Sequence, residues 1–121
     1  MIKIQNSKKY DLEERTVKFA RRARIFVKRL FKTIGNIEDG KQLVRSSGSI
    51  GANYIEANES LSKKDFVMRI KICRKESKES KYWLELVDIN NNLDLEKERG
   101  ELLKEAGELM MIFSSIMRKS E

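Results

Sequence analysis

The chain is predicted to be all-α, an antiparallel up-down-up-down four-helix bundle. Three observations predict it. Proline is absent and only 6 of 121 residues are glycine, so little in the chain interrupts a helix. Apolar residues recur at helical spacing in four segments, about 12–34, 40–58, 63–89 and 95–118. The connections between them are short, which sets consecutive helices antiparallel. By size the chain is one domain, 1–121, with a modest core. No repeat, low-complexity tract or linker divides it.

The first helix is expected over 12–34. Asp11 reads as its N-cap, with Glu14 completing a capping box, and Gly35-Asn36 reads as its stop. Leu12, Thr16, Phe19, Ala20, Ala23, Phe26, Val27, Leu30 and Ile34 share a core face. Arg15, Lys18, Arg21, Arg22, Lys28, Arg29 and Lys32 collect on the opposite face, with Ile25 in their midst. Residues 1–34 hold 11 basic and 3 acidic side chains, a net of +8, and the other segments roughly cancel. Two readings of this face stay open: a solvated cationic surface, and a stripe that binds phosphate or a partner.

The second helix is expected to start after Asp39 and to reach Asn58. Leu43, Ser47, Ile50, Tyr54 and Ala57 form one face; Val44, Gly48, Gly51 and Ile55 form its neighbour. Each interior glycine costs roughly 1 kcal/mol relative to alanine, and close approach of another helix or subunit would compensate. Arg45, Ser49, Asn53 and Glu56 line the remaining side, as an exposed polar face, a hydrogen-bonded row or a polar subunit interface.

Ser62 is the expected cap of the third helix, with Asp65 at its third position. Phe66, Ile70, Cys73, Ser77, Leu84 and Val87 share a face, widened by Met68, Ile72, Trp83 and Leu86. Glu76 falls inside this apolar arc and Glu79 at its edge beside Trp83. A carboxylate so placed needs a partner, for which Arg45 and Arg69 are candidates. Lys71, Arg74, Lys75, Lys78 and Lys81 make a second basic stripe. Asn90-Asn91-Asn92 reads as a turn and Asp94 as the cap of the fourth helix. There Leu95, Leu102, Ala106, Leu109, Met110, Phe113, Ile116 and Met117 form the apolar stripe. Glu96, Glu98, Glu101, Glu105 and Glu108 are expected on its outer surface.

Histidine is absent, which excludes Ser-His and Cys-His nucleophile pairs, a histidine base and histidine metal ligands. Cys73 is the lone cysteine, so neither an internal disulfide nor a cysteine zinc site can form. Phosphate-loop and dinucleotide signatures are also missing. No catalytic residue, metal or cofactor is therefore assigned. No apolar run approaches membrane-spanning length, and MIKIQNSKKYD lacks the apolar core of a signal peptide, so a cytoplasmic protein is expected. With 26 basic against 19 acidic side chains, the net charge of +7 favours an acidic partner, nucleic acid first.

Residues 45–57 (RSSGSIGANYIEA) and 75–86 (KESKESKYWLEL), with the opening YDLEERT at 10–16, carry a resemblance. The chain resembles the four-helix-bundle proteins encoded in intervening sequences of bacterial 23S ribosomal RNA genes. That family is in turn similar to the accessory protein of diversity-generating retroelements, a basic bundle that binds a reverse transcriptase and nucleic acid. The resemblance implies a non-enzymatic bundle, often a ring-shaped homopentamer. It implies architectural roles for Ser49, Ile50, Asn53, Glu56, Glu76, Glu79 and Trp83. It also suggests that the Val44, Gly48, Gly51 and Ile55 face meets a neighbouring subunit. Five copies at +7 would carry about +35, enough to attract RNA or DNA at low salt. The leading expectation is a homo-oligomer that binds nucleic acid electrostatically through the seven cations of the first helix. The alternative is an adaptor that docks a nucleic-acid enzyme such as a reverse transcriptase, which Ile25 amid the charge would suit. An enzyme working with Glu76, Glu79, Arg45 or Cys73 ranks behind both.

Overall fold

The computed structural model describes the backbone of residues 2–121 and the side chains of residues 11–121. It contains α1 (Ile2–Arg29), α2 (Ile34–Asn58), α3 (Lys63–Leu86) and α4 (Leu93–Ser120). No strand occurs among the described residues. Each helix packs on the next in sequence, and α4 closes the ring against α1. Among the described residues no Cα of α1 comes within 8 Å of α3, and none of α2 within 8 Å of α4, so these pairs meet only through side chains that cross the core. These pairs occupy diagonal corners of an up-down-up-down bundle.

The helical apolar spacing becomes a single core. Phe19, Ala23, Phe26, Leu43, Ile50, Ile70, Leu84, Leu102, Leu109 and Phe113 are essentially solvent-free. Tyr54 and Phe113 meet as a tilted aromatic pair with centroids 5.7 Å apart. The α2–α3 seam is the tightest, because small residues line it. Ser46 Oγ and Ser80 Oγ lie 2.8 Å apart and buried, Ser77 Oγ donates to Cys73 O, and Ser80 Oγ donates to Glu76 O. These local bonds satisfy hydroxyls that would otherwise be costly to bury.

The helix ends differ from expectation at several places. Asp11 is no cap: α1 begins at Ile2 and runs through it. At its other end α1 stops at Arg29, five residues early. Gly35 and Asn36 do not end a helix; they lie in the first turn of α2, whose cap is Thr33, its hydroxyl accepting from Asn36 N at 3.0 Å. Ile34, expected in the core, is therefore 86% exposed. Asn36 is itself buried. Its amide nitrogen donates to Phe31 O and Asp88 O, and its oxygen accepts from Asp88 N. One side chain thus ties the α1–α2 bend to the α3–α4 connection at the same end of the bundle. α3 stops at Leu86 rather than 89, because Val87 turns extended. Asn92, not Asp94, caps α4, its side chain accepting from Leu95 N at 3.1 Å. Asp94 sits in the first turn, where the helix dipole favours a negative charge. Ser62 caps α3 as expected, accepting from Asp65 N. Asn90 and Asn91 make the expected turn with φ of 52° and 59°, a region asparagine tolerates.

Candidate nucleic-acid interface

The basic face of α1 is divided in two by α4. Arg15 grips Glu105 with both arms of its fork, Nε at 2.6 Å and Nη2 at 2.9 Å, and reaches Glu108 at 2.6 Å. One heptad on, Arg22 does the same to Glu98 (3.3 and 3.1 Å) and reaches Glu101 at 3.1 Å. The register is antiparallel, so equal steps along the two helices bring the next pair into contact. The hydrogen bond to Glu105 is the main reason that Arg15 is held even further up than a free guanidinium, and Glu98 raises Arg22 in the same way. Four of α4's five expected surface glutamates thus face the α1 seam. Lys18, Arg21, Lys28, Arg29 and Lys32 remain exposed, and among the described residues they form no ion pair. Lys18 and Arg21 border a shallow depression with Val17, Ile25 and Ile55, all three substantially exposed.

The motif of α2 and α3 is a packed seam. Arg45 leaves the polar row of its own helix and crosses to α3, pairing with Glu79 at 3.0 Å and Glu76 at 3.5 Å. Arg69, the other candidate partner for Glu76, instead donates to Asn53 Oδ1 at 3.0 Å. Asn53 donates to the carbonyl and the hydroxyl oxygen of Ser49, both at 2.9 Å, so one rung of the expected row forms. Glu56 is exposed beyond it. Glu76 is buried, and among the described residues neither its Oε1 nor the Nε1 of Trp83 has a hydrogen-bond partner. Trp83 packs edge-on against Tyr82 with centroids 5.0 Å apart.

The glycines answer to α1. A methyl at Gly51 would lie 2.7 Å from Thr16 Oγ1 and 3.2 Å from its Cβ. At Gly48 it would meet, among the described residues, the guanidinium of Arg24 alone, at 3.3 Å. Gly40, which sequence reasoning passed over, faces Val27 Cγ1 at 2.9 Å. The close approach expected of this face is thus made within the chain, between α1 and α2. Ser46, Ser80 and Asn36 were also missed, since a serine or asparagine at a core position reads as an interruption until its partner is known.

The second basic stripe lies on the opposite corner. Lys71, Arg74, Lys75 and Lys78 line a groove against Met110 and Ser114 of α4, while Lys81 lies further along, beside Gly107. Cys73 is buried, and its thiol donates to Ile50 O at 3.4 Å. Burial pushes that thiol up to about 12, so it stays protonated and unreactive at neutral pH. Among the described residues no group of three or more acidic, cysteine or histidine side chains is placed to hold a metal ion. No helix there is long and apolar enough to cross a membrane.

Fold and surface together define a small four-helix bundle with cationic outer corners and an acid-lined seam. The sequence model of the 23S rRNA-intervening sequence protein family matches residues 8–115, and the chain belongs to that family. It is similar to a solved protein of unknown function from the S23 ribosomal protein family of Bacteroides thetaiotaomicron. The two share 29% identity at a TM-score of 0.77, over 92% of this chain and 98% of the other. No functionally curated protein matches the chain.

Proposed function

We propose that this protein is a non-enzymatic, cytoplasmic, homo-oligomeric bundle that binds RNA or DNA through the phosphate backbone. The observation that carries this reading is the unpaired half of α1. Lys18, Arg21, Lys28, Arg29 and Lys32 point outward with no carboxylate partner among the described residues. Such cations release condensed counterions when they meet phosphate, and that release drives sequence-independent binding. Little base readout is expected, because a row of lysines and arginines on a convex helix supplies charge without a groove-reading element. Arg15 and Arg22 take no part; their charge is spent on α4. Family resemblance favours a pentamer, in which the free rows of several protomers would form one charged surface.

The test is a glutamine variant at Lys18, Arg21, Lys28 and Arg29, assayed against a short RNA and a short DNA duplex with its mass in solution recorded. Glutamine preserves helix propensity, so helix content and mass should match the parent. Affinity at low salt should fall by about two orders of magnitude or more, given roughly tenfold for each 1.4 kcal/mol lost. Unchanged affinity would sink the assignment and leave the face as a solvated or protein-docking surface.

A further inference from the structure

We propose that the α3–α4 groove is a second phosphate-binding track, so that one protomer holds two nucleic-acid segments on opposite corners of the bundle. The inference rests on the nucleic-acid reading above and extends it to a bridging activity. Lys71, Arg74, Lys75 and Lys78 supply the cations, with Met110 and Ser114 on the facing wall. The groove, about 570 Å³, falls within the range of ligand-sized clefts.

Three features of the molecule support it. The first is the fate of the neighbouring acids. Glu76 turns inward to Arg45, and Glu79 is shared between Arg45 and Lys75, 3.8 Å away. Glu98, Glu101, Glu105 and Glu108 are occupied at the α1 seam, and α4 carries no acid from Leu109 to Ser120. Lys71, Arg74 and Lys78 form no ion pair among the described residues. The second is spacing. From Lys71 to Lys78 the helix rises about 10 Å, the axial length of about three phosphates of a duplex strand. Lys71, Arg74 and Lys78, three and four residues apart, form a row that suits a repeating anion better than a single carboxylate. The third is placement. α1 and α3 occupy diagonal corners of the bundle, so their outer faces look in opposite directions. A segment lying along α1 leaves the α3 track open to another.

The experiment immobilises a short DNA duplex, loads nuclease-treated full-length protein, and measures capture of a second, labelled duplex of unrelated sequence. The wild type should capture it. The variant K71Q, R74Q and K78Q should still bind the immobilised duplex and keep its mass in solution. Its capture of the second duplex should fall by about tenfold or more, and the salt slope of capture should drop by about three. That result excludes bridging by two α1 faces of an oligomer. Capture by the variant equal to the wild type would overturn the proposal, as would wild-type protein that binds the first duplex but never a second. Protein that binds no duplex at all would instead overturn the nucleic-acid reading on which this one rests.

Discussion

Gly51 and Thr16 set how closely α1 can lie on α2. Thr16 is buried, β-branched, and donates its hydroxyl to Glu13 O at 2.7 Å, so it has little room to turn away. Gly51→Ala should therefore destabilise the fold by about 1–3 kcal/mol despite alanine's better helix propensity. Gly100 is the control, because nothing among the described residues lies within 4 Å of a methyl built there. Gly100→Ala should stabilise by about 0.5–1 kcal/mol. Urea denaturation of both variants checks the pair, and the account fails at this scale if Gly51→Ala is the more stable of the two. The interior glycines of α2 could be seen in the sequence as a sign of close approach, but not what approached. Asn36 was less legible still. Beside Gly35 it has the composition of a helix stop, and only the fold brings Asp88 within its reach.

At the scale of elements, the α1–α4 seam differs from the other three. Small residues bring α2 and α3 together, whereas α1 and α4 are joined at their edge by two arginine forks on four glutamates. Partly exposed pairs of this kind contribute modestly, and their geometry is bidentate, at the favourable end of that class. A double-mutant cycle on Arg15→Ala and Glu105→Ala should give a coupling of about 0.5–1 kcal/mol that shrinks as salt is added. Zero coupling at low salt would mean that the forks only decorate the seam. The helices themselves were legible because apolar spacing declares them, and the core faces of α2, α3 and α4 followed from it. Their ends were not, since Asp11 and Asp94 are as good caps in isolation as Thr33 and Asn92. The same limit applied to the charge. A basic face on α1 and an acidic face on α4 were both visible, but pairing them required knowing which helices are neighbours.

For the whole molecule, that pairing redistributes the +7. The acids of α4 neutralise one edge of α1 and leave the α3 groove without an acid from the second half of α4 beside it, so the free cations gather on two diagonal corners. Whether those corners hold nucleic acid is read from the binding of a short duplex by nuclease-treated protein across a salt series. Five phosphate contacts on α1 predict that log K falls against log salt with a slope of about −4 or steeper. Tight binding that ignores salt, or no binding even at the lowest salt, would contradict the account and return both corners to the solvent.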